Sequence, residues 1–290
     1  MPVAIPTAAL TRFERLSFVT RGPARGGLGG EHRSRRPSPS TDFVDYRPYH
    51  PGDDFRRVDW NVYGRLGSLQ VKVTEGRERL DVMLVVDCSA SMDFGKPDKL
   101  AFAAQVAAGL GWVGLARADQ LTLATLGERG VSSIGPLHGR ARLGEVVQFL
   151  SAVAGQGRLN LEFDLAQALP VRGTPSLVLV VSDLMTPRGI GAALDRLSGV
   201  DVVVLHVVSP DELDPRVGGD IELQDAETGA VLEFGASLHT LAAYRARFAE
   251  WLEQQHDDCV ARGMRYVRLR TDRELDGVML DDLRRAGVLR

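Results

Sequence analysis

Short strand-like stretches rich in apolar residues recur through most of this chain, at about 82–86, 120–126, 176–181, 201–207 and 266–269, most completely apolar at 82–86 and 176–181. A short run apolar at every position predicts a strand buried on both faces. Between these runs the apolar spacing lengthens to a helical period, over roughly 97–116, 141–153, 161–169 and 189–197. Strand and helix in turn predict an α/β fold: a mostly parallel, doubly wound sheet with helices on both faces and right-handed crossovers.

The texture differs at either end. A short helical pattern around Leu10–Arg15 leads into a Gly/Arg/Pro/Ser-rich segment, 22–40, that predicts a loop. Asp42–Tyr46 and Leu69–Val73 alternate as strands do, and Pro51-Gly52 between them signals a turn. Later, Asp220–Gln224 and Val231–Phe234 flank Thr228-Gly229 as a hairpin set into the α/β order. A long helix from about Leu238 closes at Gly263, a residue suited to a helix C-terminus, and a last helix is expected near 278–286. The expected organisation is an N-terminal β-rich region, 1–80, followed by an α/β domain, 81–290, with a hairpin insert near 218–236.

Chemistry gathers at two strand ends. Asp87-Cys88-Ser89-Ala90-Ser91-Met92 directly follows Val82–Val86, and Ser182-Asp183 ends the run that starts at Ser176. Ligands of open α/β sheets bind at the carboxyl ends of the strands. Alternate positions of a short loop can aim Asp87, Ser89 and Ser91 at one point, a hard-oxygen set suited to a cation such as Mg2+. Ser and Asp after a strand are equally ordinary turn and cap residues, so on these residues alone both readings stand. Asp183 favours the metal, since two strands would then bring a carboxylate each to one edge of the sheet.

Composition narrows the function classes. The 290 residues are 44% hydrophobic and 25% charged with a net charge of -3, a balance that argues against a general nucleic-acid binder. Arg21, Arg25, Arg33, Arg35 and Arg36 form one basic stretch, read as a solvated loop. The two cysteines, Cys88 and Cys259, suggest no disulfide framework, and Cys88 has no histidine placed to activate it. No phosphate-binding Gly-x-x-x-x-Gly-Lys-Ser/Thr loop is present, and no histidine has a companion for a hydrolytic triad. The start lacks the features of a signal peptide, and Leu100–Ala116, broken by Gln105 and three glycines, reads as a core helix rather than a membrane span. A cytoplasmic protein is the expectation.

With these residues in view, the chain resembles the bacterial domain-of-unknown-function family 58, relatives of the von Willebrand factor A domain. The resemblance rests on Arg47…Tyr49…Pro51-Gly52-Asp53-Asp54…Arg56…Asp59-Trp60, on Asp87-x-Ser89-x-Ser91-Met92 with Lys99, on Ser182-Asp183, and on Leu223…Asp225…Glu227-Thr228-Gly229. It covers nearly the whole chain. It implies a metal-ion-dependent adhesion site in which Asp87, Ser89, Ser91 and Asp183 hold Mg2+, or another divalent cation such as Mn2+ or Ca2+, with one position open to a partner's carboxylate. It also implies a non-enzymatic adaptor or co-chaperone of a MoxR-type AAA+ ATPase or its client protein. One departure is plain: the threonine of the family's second loop is replaced by Leu159 or Phe163, with Asn160 and Asp164 as neighbouring substitutes. The alternatives are a metal-dependent hydrolase using Asp87 and Asp183, and a metal-free assembly protein. The Arg/Asp-rich segment is read first as a structural network and second as a docking surface for the ATPase.

Overall fold

The computed structural model describes residues 3–21, 41–51, 53, 55–76, 79–128, 130–170, 173–186 and 190–290. The loop expected at 22–40, with Arg25, Arg33, Arg35 and Arg36, lies outside the described residues, as do Gly52 and Asp54. Two compact units are present: Met1–Arg25 with Leu80–Arg290, and Gly26–Arg79. The first residues therefore group with the larger unit, whereas the sequence suggested a division at residue 80. The cause is helix α1, Thr7–Phe13, whose Ala9 and Phe13 enter the large core.

The smaller unit pairs strand β1, Thr41–Pro48, antiparallel with β2, Gln70–Gly76. Helix α2, Trp60–Leu66, lies between them in sequence. Its first turn is capped by Asp59, whose Oδ1 accepts from the Asn61 and Val62 N–H groups at 2.9 and 3.3 Å. Tyr46 donates its hydroxyl to the same carboxylate at 2.8 Å. Arg47 grips Asp53 through two hydrogen bonds of 2.7 Å and holds its carboxyl well below the usual range. The Arg47–Asp53 pair is thus internal to this unit.

The larger unit is mixed α/β around a six-stranded sheet. Its strands are β3 (Asp81–Asp87), β4 (Gln120–Gly127), β5 (Gly130–His138), β6 (Leu177–Ser182), β7 (Val202–Val208) and, last in the chain, β10 (Arg265–Arg270). Their order is β10-β7-β6-β3-β4-β5, all parallel except the β4–β5 edge pair. The apolar run within β3 and those of β6 and β7 are wholly buried. At about 1.5–3 kcal/mol for each large aliphatic side chain, such strands dominate the stabilisation of the sheet. The edge strand β5 escaped the sequence reading because its exposed, serine-bearing pattern carries no apolar run.

Helix α3, Lys99–Ala116, is buried from Leu100 to Leu115 apart from Ala101 and Gln105, as a helix apolar on all sides must be. Its length and mean hydropathy of 1.3 would suffice to cross a membrane, contrary to the expectation that it falls short, yet most of it is enclosed by this fold. Gly111 permits close packing: a Cβ there would stand 3.2 Å from Val146 and 3.3 Å from Leu121. Helices α4 (Leu143–Ser151), α5 (Leu161–Ala168) and α6 (Gly191–Asp195) complete the crossovers, and α7 (Pro210–Leu213) follows β7. The hairpin β8–β9, Gly219–Gln224 with Val231–Ala236, forms its own two-stranded sheet ahead of α8, Leu238–Ala261. The chain ends in one continuous helical stretch over 275–285, whose middle, Val278–Asp282, is wound as a π-helix.

Candidate functional site

Strand β3 ends at Asp87 and its neighbour β6 at Ser182, so parallel pairing delivers both ends to the same edge of the sheet. Asp87 is buried, with each carboxylate oxygen engaged: Oδ1 accepts from the Ser89 N–H at 2.8 Å, and Oδ2 from the Ser182 hydroxyl at 2.6 Å. Among the described residues no basic side chain pairs with it. Burial, and after it the charge of Asp183, push the Asp87 carboxyl up to about 6. Burial without a counter-ion makes this carboxylate favour uptake of a proton or a cation.

The serines lie beside it. Ser89 Oγ and Ser91 Oγ are 3.0 Å apart. Adjacent oxygens on a Mg2+ octahedron with bonds of about 2.05 Å stand about 2.9 Å apart, so these two hydroxyls already have the spacing of neighbouring ligands. A second loop braces the first: Ala90 N–H donates to the Gly157 carbonyl at 3.0 Å and Gln156 N–H to that of Cys88 at 3.1 Å. Gly157, at φ +71°, has no room for a side chain, since a Cβ would lie 2.3 Å from that of Glu128. Among the described residues no group of three or more His, Cys, Asp or Glu side chains converges as a metal cluster. The donor set here is of a different kind, one carboxylate and two hydroxyls, and hard divalent ions accept it.

Asp183 is placed at the same edge but is committed elsewhere. Its Oδ2 accepts from Lys99 Nζ at 2.7 Å and its Oδ1 from the Met185 N–H at 3.0 Å. The same ammonium reaches Glu212 of α7 at 2.5 Å, and the Lys99 and Asp183 side chains are sealed from solvent. Burial alone would pull the Lys99 ammonium down, but the two carboxylates outweigh it and its pKa is raised. Leu184, next in the chain, is buried with φ +57°, a conformation a bulky residue rarely adopts. It is held there by its N–H on Ser182 Oγ at 2.9 Å, the hydroxyl that serves Asp87. Strain of this sort collects where function fixes the backbone.

The remaining sequence candidates separate. Asn160 caps α5 by accepting from the Phe163 N–H, Asp164 accepts from the Asn160 N–H, and Phe163 is exposed, so these positions form a helix start. Burial and the Asp87 charge push the Cys88 thiol up to about 12, far from a nucleophilic thiolate. His206 is buried and lowered to about 3, its Nδ1 against the Tyr266 hydroxyl at 2.6 Å, and so is neutral. Ser182 and Glu212 were missed as site residues. Ser182 stands beside a chosen acid and could have been found; Glu212 is remote in sequence and carries no such signal.

A sequence model described as Protein of unknown function DUF58 matches residues 45–258. Uncharacterized proteins of Mycobacterium tuberculosis and Mycobacterium bovis are each 29% identical over 288 residues, covering 94% of this chain and 89% of theirs. Two solved structures resemble it, each covering 71% of this chain and 98% of their own. One is the conserved hypothetical protein BatB from Bacteroides thetaiotaomicron, 13% identical with a TM-score of 0.39. The other is an aerotolerance-related membrane protein from Bacteroides fragilis NCTC 9343, 16% identical with a TM-score of 0.41. The expected cytoplasmic placement is withdrawn. That expectation rested on an ordinary N-terminus and an enclosed apolar helix, and neither feature reports a compartment.

Proposed function

This chain belongs to the family of proteins of unknown function DUF58, and from that footing we propose a non-enzymatic interaction module, a von Willebrand factor A-like domain whose adhesion site holds a divalent cation on Asp87, Ser89 and Ser91. One observation carries the reading: two hydroxyls 3.0 Å apart beside a buried carboxylate that no basic side chain neutralises among the described residues. Mg2+ suits these hard oxygens first, with Mn2+ or Ca2+ as alternatives. Bound there, it offers a Lewis-acidic position to a carboxylate oxygen of a partner. Because Ser89 and Ser91 are neutral, the ion with Asp87 retains positive charge and favours an anionic partner. Asp183 takes part through its charge, since Lys99 and the Met185 N–H hold its two oxygens. The family resemblance supplies the partner class, a MoxR-type AAA+ ATPase or its client, with this chain as adaptor or co-chaperone.

Two measurements test the proposal. MgCl2 or MnCl2 raises the melting temperature of the wild type, and Asp87→Asn abolishes the rise, because an ion that binds only the folded state must stabilise it. Affinity purification from native cells recovers an AAA+ ATPase with Mg2+ present and loses it with EDTA or Asp87→Asn; retention under both conditions contradicts the cation-dependent mechanism. Lys99 favours a second reading, in which its ammonium is the resident cation and the serine loop is a metal-free structural device. That reading requires a melting temperature indifferent to both salts.

A further inference from the structure

Beyond the cation site, α8, the β8–β9 hairpin and the loop around Phe94 enclose a groove of about 1370 Å3. Small-molecule sites occupy about 300–1,000 Å3, so this space suits a polypeptide segment better than a metabolite. Its apolar wall is ordered. Tyr244, Phe248 and Trp251 follow one another along one face of α8, with stacked ring centroids 5.7 and 5.5 Å apart. Phe94, Val217 and Leu223 face them with 43–47% of their surfaces exposed, a large apolar area to leave in water.

The charges around the groove are unbalanced. Lys96, Arg216 and Arg247 line it and make no ion pair among the described residues. Of the acids present, Glu212 is turned inward to Lys99, and Asp211 accepts from the Lys96 N–H at 3.0 Å. The bond to a neutral N–H leaves the Asp211 charge in place, so among the described lining residues Asp211 and Glu250 face three unpaired cations, a small positive excess. We propose that the groove docks an amphipathic helix of a partner protein, its apolar stripe on the α8 aromatics and its acidic flanks on Lys96, Arg216 and Arg247. An anionic membrane surface would share the charge preference, but the apolar side chains here line a concavity, whereas insertion into a bilayer requires them to project. No groove residue is a candidate cation ligand, so this inference stands apart from the adhesion-site reading.

The test is selection from a displayed library of random 16-residue peptides on the full chain in EDTA, with counter-selection on Leu223→Glu. Enriched peptides should carry apolar residues at helical spacing with an excess of Asp and Glu. Synthesised and labelled, they should bind the wild type with at least tenfold higher affinity than Leu223→Glu, and several-fold higher than Arg247→Glu. Both substitutions lie at exposed positions, so unchanged melting temperatures confirm intact variants. Enrichment of basic or aperiodic sequences, or equal affinity for wild type and Leu223→Glu, overturns the proposal. So does sedimentation of the protein with phosphatidylglycerol vesicles that Leu223→Glu abolishes, which would assign the groove to a membrane surface.

Discussion

The two strand ends of the candidate site look alike in sequence and differ in charge balance. At the end of β6, Asp183 shares a sealed ion cluster with Lys99 and Glu212. At the end of β3, Asp87 has the Ser182 hydroxyl and the N–H and side chain of Ser89 to stabilise its charge. The first end carries its own cation, supplied by α3, whereas among the described residues no basic side chain meets the charge at the second. The difference teaches that two acids alike in sequence at neighbouring strand ends can differ in whether the fold meets their charge.

Removing the resident cation is the harshest way to break this comparison. Lys99→Met strands Asp183 and Glu212 in the interior and should cost about 3–5 kcal/mol, read as a fall in the urea midpoint. If stability hardly changes, the cluster is not the electrostatic anchor described. Asp87→Asn has the opposite character, since it removes a charge that nothing in the fold neutralises. Its stability without divalent ions should stay within about 1 kcal/mol of wild type, while the Mg2+-induced stabilisation, about 2.7 kcal/mol at a hundredfold excess over Kd, disappears.

A pH series sharpens the contrast further. Asp87 titrates near 6 in the folded protein and near 4 when unfolded, so between those values the folded state holds the additional proton. Chelator-treated protein should therefore lose stability as pH rises from about 4 to about 6 and level off above it. Asp87→Asn should remove that component of the slope, and an identical slope in both proteins would refute the assignment. The smallest effect belongs to the other unit. Asp59→Ala uncaps α2 and should cost about 1 kcal/mol while leaving the Mg2+ response untouched.

The sheet was legible because Val82–Val86 is apolar at every position and Val202–Val208 at all but His206, the mark of strands buried on both faces. β5 was not, because an exposed edge strand needs no such pattern. The gathering of Asp87, Ser89 and Ser91 at one strand end followed from their spacing, and parallel register explains why Asp183 arrives at the same edge. What the spacing could not say is that Lys99 turns inward to occupy Asp183. That pairing depends on Glu212, over a hundred residues away, and on the burial of all three side chains. Lys99 was noticed only as part of a family pattern, without a partner.

The central claim is that Asp87, Ser89 and Ser91 hold a divalent ion while Lys99 keeps Asp183. Crystals grown with MnCl2 and measured at the manganese edge test it directly. The account predicts an anomalous peak bounded by Asp87, Ser89 and Ser91, with the Lys99 ammonium still on Asp183. Well-ordered density for this loop with no peak, and Ser89 and Ser91 bonded only to each other, would contradict it.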